Sequence, residues 1–124
     1  MAVAEMSSSL RIGSYVYAND FRHPALLARE AAALDALSNG RFELGIGAGY
    51  LEEDYAPTGI PFDPPGVRVS RMTESVALLK RLLAGETVTM SGKYYTVTEL
   101  TNFSPVIQRP HPPLAIAGGG KRVL

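Results

Sequence analysis

Two apolar, β-prone runs, LRIGSYVYA at residues 10–18 and RFELGIGAGY at residues 41–50, flank a helical pattern over residues 24–38. The connections between the three are only a few residues long. A strand, a helix and a strand joined so tightly bring the second strand back parallel to the first, with a right-handed crossover. Near-continuous apolarity in the first run predicts a strand covered on both faces. Pro24 suits the first helical position, where its missing N–H costs nothing. Leu27, Ala31, Leu34 and Leu37 form the predicted buried stripe, and Asn39-Gly40 supplies a left-handed stop. In the second run Phe42, Leu44, Ile46 and Ala48 point one way, and Gly45, Gly47 and Gly49 point the other.

Further along, LEEDYAPTGIPFDPPG (51–66) holds too many prolines and glycines for the interior of an element and predicts a long loop. It leaves the C-terminal end of a strand, the edge at which α/β folds build their sites. A second helix is predicted from 67 to 84, with Val69, Met72, Val76, Leu79 and Leu83 inward and Gly85 as its stop. ETVTMSGKYYTV reads as a small hairpin around Ser91-Gly92. NFSPVIQRPHPP reads as an extended surface segment, and LAIA (114–117) as a third buried strand. The expected fold class is α/β: parallel strands with crossover helices and a small β-hairpin insertion. Residues 1–9 are expected to be a disordered lead-in, and 10–124 one β-α-β-loop-α-hairpin-β segment.

The charges exclude several classes of partner. Twelve basic and twelve acidic side chains cancel, which removes the electrostatic case for nucleic acid. No apolar run approaches a bilayer span, and MAVAEMSSSL lacks the basic flank and apolar core of a signal peptide. With no cysteine there is no disulfide framework or thiolate metal site. A cytoplasmic protein is expected.

Each chemical motif has a plainer alternative. GIGAGYLEED lacks the third glycine of a dinucleotide fingerprint, since Tyr50 or Glu52 stands in its place and a proline-rich loop follows. GGGK fails as a phosphate loop, with Ala115 for the first glycine and Arg122 for Ser or Thr. The glycine face of the second strand admits two readings: close packing, or a planar cofactor against bare backbone. His23 is expected to cap a helix, and His111 to be structural or exposed. Two separate histidines make no zinc site. Glu52, Glu53 and Asp54 suit a solvated loop or a helix N-terminus. Arg71 and Glu74, three apart on one helix face, read as a surface pair. No nucleophile–base pair stands out, so no catalytic residue and no metal ligand is assigned.

Taken together, RIGSYVYANDFRHPALLAREAAALDALSNGRFELGIGAGY, GIPFDPPGVRVSRMTE and RPHPPLAIAGGGKRVL resemble the luciferase-like monooxygenase superfamily. The likeness is to its actinobacterial branch, which uses coenzyme F420 in place of FMN. It implies a partial (β/α)8 TIM barrel, with these strands as the third, fourth and fifth. It implies a non-prolyl cis peptide at Tyr15–Val16 supporting the cofactor ring, with Ala18 near the ring and Gly47, Gly49 and Tyr50 lining it. Gly118, Gly119 and Gly120 would meet the ring edge or the cofactor phosphate. Sugar-phosphate dehydrogenase relatives carry an acidic glutamate where Tyr50 stands, which speaks against that substrate.

The resemblance implies hydride transfer with coenzyme F420, with FMN as the alternative cofactor. Since a full barrel takes about 250 residues, the chain is expected to be a central segment that is incomplete as an isolated enzyme, with cofactor binding possible to lose. Raw strand edges favour association, so a homo-oligomer, a dimer or larger, is expected. The competing expectation is a non-enzymatic half-barrel remnant that self-associates. An anion-binding module built on the triple glycine is a weaker third.

Overall fold

A computed structural model describes residues 2–118. The first apolar run is not one strand. It forms two short strands, β1 (Ile12–Gly13) and β2 (Tyr17–Ala18), on either side of a cis Tyr15–Val16 peptide. Both pair in parallel with the same edge of β3 (Phe42–Gly47), β1 at Phe42–Glu43 and β2 at Ile46–Gly47. The expected burial on both faces also fails, because Tyr15 projects fully into solvent. Gly45 makes room for the break. A Cβ there would lie 2.1 Å from the Ser14 carbonyl oxygen, closer than any two such atoms can come. Ser14 then bridges the gap with its hydroxyl, donating to the Gly45 carbonyl at 2.8 Å and accepting the Gly45 N–H at 2.9 Å.

Helix α2 (Pro24–Leu37) starts at the expected proline, and the His23 ring accepts the Ala25 N–H at 3.1 Å as its cap. Asn39 and Gly40 end it, both with positive φ. The buried stripe differs from the expected one. Leu27 and Ala31 are buried, Leu37 is exposed, and Ala28, Ala32 and Asp35 face inward. Asp35 is tolerated there because the 102–113 segment covers it. Its carboxylate accepts the N–H groups of Ile107 and Gln108 at 2.6 and 3.0 Å and the Gln108 side-chain amide at 2.7 Å. A buried carboxylate is stable only when its lone pairs are met in this way.

After β3 the expected loop contains a helical turn, α3 (Glu52–Tyr55), and a 3-10 turn (Ala56–Thr58). The acidic run forms the exposed first turn of α3. The turn forms because Tyr55 has a site to fill, as described below. Helix α4 (Pro65–Leu83) follows, burying Met72, Leu78, Leu79, Leu82 and Leu83. Hairpin strands β4 (Thr87–Ser91) and β5 (Thr96–Thr101) are antiparallel. Strand β6 (Leu114–Ala117) returns parallel to the other edge of β3.

Phe42, Leu44 and Ile46 pack against α2 and α4 in one core with Leu27, Leu79 and Val88. Full burial of an Ile or Leu side chain contributes about 1.5–3 kcal/mol, so this face sets the register of β3. A slip of one residue would place its glycines there instead.

Three other expectations are corrected. Residues 1–9 are not wholly without structure: α1 (Ala2–Glu5) buries Ala4, whose carbonyl accepts from Arg41 at 2.8 Å. Strand β6 is not a buried strand, because Ala115, Ile116 and Ala117 are exposed. Among the described residues it has β3 on one side only. Arg71 and Glu74 do not pair with each other. Each is taken by other partners: Arg71 by Asp20, far along the chain, and by Asp63 just ahead of α4, and Glu74 by the hairpin turn.

Candidate functional site

The C-terminal ends of β2, β3 and β6 open onto a cavity of about 760 Å³, within the size range of small-molecule sites. Seven of the nine residues singled out for a cofactor line it: Tyr15, Val16, Ala18, Gly47, Gly49, Tyr50 and Gly118. Gly119 and Gly120 lie outside the described residues. The cis Tyr15–Val16 bond stands where the resemblance placed it.

The three glycines of β3 and its exit have separate tasks. Gly45 admits the break between β1 and β2. At Gly47 a Cβ would come within 3.1 Å of Val16 Cγ2 and 3.7 Å of Ala117 Cβ, so the cavity wall is bare backbone closed by small apolar groups. Gly49 has φ +81, and a Cβ there would meet the Tyr55 hydroxyl at 2.0 Å. Close packing and a bare wall thus coexist on one strand.

Tyr55, Arg68 and Phe21 also line the cavity and were not singled out from the sequence. Tyr55 is 1% exposed, packed between Phe21 and Phe62 with ring centroids 4.8 and 4.9 Å away. Its hydroxyl donates to Asp20 Oδ2 at 3.0 Å. Burial, then the charge of Asp20 and its hydrogen bond, push the Tyr55 phenol up to about 12. The phenol therefore stays protonated at neutral pH and serves as a donor. Arg68 is 5% exposed. Its guanidinium donates to the carbonyls of Asp63 (2.8 Å), Ala48 (3.4 Å) and Gly49, and lies over the Phe62 ring at 4.2 Å.

One turn along α4, Arg71 donates to Asp20 Oδ1 at 2.9 Å and to Asp63. The hydrogen bond to Asp20 holds its guanidinium even more firmly protonated than usual. Arg68 could have been suspected from the sequence. It stands four residues before Met72 and seven before Ser75, on the buried side of α4, where a charge needs a dedicated partner. Tyr55 carried no such signal, since an aromatic in a proline-rich loop is as often exposed.

The cavity could take a flat ring system. Its wall is bare backbone with Val16, Ala18 and Ala117, and two exposed tyrosines, Tyr15 and Tyr50, stand at its lip. Among the described residues no group of three or more His, Cys, Asp or Glu side chains could hold a metal ion. No described helix is long and apolar enough to cross a membrane.

The profile of the luciferase-like monooxygenase family matches residues 1–124. An F420-dependent glucose-6-phosphate dehydrogenase of Amycolatopsis mediterranei is 34% identical over 122 residues, covering 96% of this chain and 35% of that protein. That of Kineococcus radiotolerans is 36% identical over 124 residues, covering 98% and 35%. Among solved structures, the monooxygenase RslO1 of Streptomyces bottropensis superposes with a TM-score of 0.83 at 29% identity, covering 93% of this chain and 34% of that one. The coenzyme F420-dependent tetrahydromethanopterin reductase of Methanopyrus kandleri superposes with a TM-score of 0.87 at 24% identity, covering 98% and 38%. The chain spans about a third of the length of these relatives. Its parallel strands, which follow one another in chain order apart from the β4–β5 hairpin, form part of a (β/α)8 barrel.

Proposed function

The chain belongs to the luciferase-like monooxygenase family, and from that premise we propose that its cavity is the ring site of an F420-dependent oxidoreductase, with FMN as the alternative cofactor. One observation carries the reading. Seven residues from three separate strand ends converge on a single cavity with a bare-backbone wall. Relatives named as F420-dependent dehydrogenases support the choice of cofactor.

Hydride transfer is the chemistry that a deazaflavin or flavin ring supplies when bound. The protein's part is to bind, orient and exclude water. Val16, Ala18 and Gly47 would lie along the face of the ring, and Tyr15 and Tyr50 would shield its edge. Gly118 would approach its polar rim. Tyr55 keeps its proton and its bond to Asp20, so it holds the wall and takes no part as a base. No catalytic acid or base is assigned within the chain. Tyr50, in the place of the relatives' acidic glutamate, argues against glucose 6-phosphate as the substrate. A cytoplasmic location accords with this chemistry.

Titration of the purified chain with F420 and with FMN, followed by ring fluorescence and absorbance, tests the proposal. Saturable binding below about 1 mM is expected. Its absence for both rings refutes the reading for this chain.

A second reading is a non-enzymatic chain that self-associates through its sheet edges. The exposure of Ile116 at 38%, on a strand paired on one side only among the described residues, favours it. Light scattering that shows a dimer or larger, with no ring binding, would select it over the first. A monomer would reject it.

A further inference from the structure

Among the described residues the wall of the cavity at Ala48–Gly49 has no strand partner of its own to hold it, because β3 ends at Gly47. It is gripped instead from two sides. Arg68 donates to both carbonyl oxygens, and the Tyr55 hydroxyl occupies the space that a side chain on Gly49 would fill. Neither grip is free to drift. Arg68 is tied to the Asp63 carbonyl and stacked on Phe62. Tyr55 is tied to Asp20, two residues beyond β2, and Asp20 is held in turn by Arg71.

On the reading of the cavity as a ring site, we propose that Arg68 is a positioning residue. Its Nη1, holding the Ala48 and Gly49 carbonyls, sets the wall against which the ring lies, while its Nε is anchored on the Asp63 carbonyl. The Tyr55–Asp20–Arg71 chain keeps that wall in register with the opposite one at Ala18. Arg68 acts through the backbone and not on the reacting atoms.

The fork is what matters, and this separates the role from a charge effect. Arg68 reaches three carbonyls through two different nitrogens. A lysine keeps the charge but presents a single ammonium nitrogen without a planar fork. Its one nitrogen cannot reproduce the Nε bond to Asp63 together with the Nη1 bonds to Ala48 and Gly49. A loosened wall is costly for ring binding, since a site that must be ordered on binding loses part of the interaction energy of the bound ring.

The test compares wild type, Arg68→Lys and Arg68→Met in the cofactor-free chain and with FMN as the probe. Amide hydrogen exchange and amide NMR shifts at Ala48, Gly49 and Tyr50 are read beside those of Leu79 in the core. In Arg68→Lys, exchange at residues 48–50 is expected to speed up roughly tenfold or more while Leu79 stays protected. FMN affinity should fall several-fold, because a loosened wall must be ordered again when the ring binds. Arg68→Met should match or exceed these losses, and if it fails to fold, the lysine variant decides alone. A lysine variant with wild-type exchange at 48–50 overturns the proposal, as does one whose protection falls equally at Leu79, which would mark a general structural role. Wild-type protein that takes up neither FMN nor F420 overturns the ring-site reading and leaves the exchange result to stand by itself on the wall.

Discussion

Glu74 gives the sharpest test of how the hairpin is held against the barrel segment. Its carboxylate, on α4, accepts three consecutive backbone N–H groups of the β4–β5 turn: Lys93 at 3.0 Å, Tyr94 at 3.0 Å and Tyr95 at 2.8 Å. Gly92 stands directly against it, where an added Cβ would fall 1.9 Å from Oε1. Glu74→Ala leaves three donors facing a gap. Hydrogen bonds to a charged acceptor contribute about 1.5–3 kcal/mol each, yet these donors are near the surface and can turn to water. A loss of about 2–4 kcal/mol is therefore expected, a large share of a stability of roughly 5–15 kcal/mol. The hairpin cannot simply detach to avoid it, because Val88 and Val97 sit in the core.

Gly92→Ala should cost nearly as much by a different route, since its methyl displaces the same carboxylate. With Glu74 already absent the three atoms nearest that methyl are gone, and Gly92 has no positive φ to make alanine strained. The second substitution then becomes close to neutral. Urea denaturation of the two single variants and the double variant measures the coupling, expected at about 2 kcal/mol, with the double less damaged than the sum. Additivity to within about 0.5 kcal/mol would show that Gly92 and Glu74 do not share the contact described.

Two further outcomes are expected. Asp35→Asn replaces a buried carboxylate that accepts three N–H groups from residues 107–108. It should lower stability by about 2–4 kcal/mol and release those amides to exchange, and an unchanged denaturation midpoint would contradict the assignment. The second outcome concerns Tyr55, whose phenol is raised from its ordinary 10.0 to about 12. Above pH 10 the unfolded chain gives up this proton first, so the folded state loses stability as pH rises from 10 towards 12. Below pH 10 the contribution is fully present. Tyr55→Phe should flatten the fall of stability with pH in that window, and an alkaline profile identical to wild type would refute it.

Much of the architecture follows from local pattern. Pro24 opens a helix and Asn39-Gly40 closes it, because proline and left-handed residues have few other uses at those places. The alternation in FELGIG orients β3, because burying Leu44 and Ile46 outweighs every competing register. The break in the first strand is invisible in its own residues, because it depends on an empty Cβ position on another strand, that of Gly45. The exposure of Leu37 and the burial of Asp35 do not follow from local pattern, because the segment that covers α2 lies about seventy residues along the chain.

The same division runs through the candidate site. The glycine-faced strand and the membership of the family are written in the residues themselves. The sequence could not say which glycine admits a neighbouring strand, which bares a wall and which yields to a tyrosine. Nor could it pair Arg71 with Asp20, 51 positions away, or Glu74 with a turn about twenty positions on. Backbone propensity and apolar periodicity act between neighbours and are readable in order. The partners of a buried charge and the space beside a glycine depend on what folding brings alongside, and only the tertiary structure decides them.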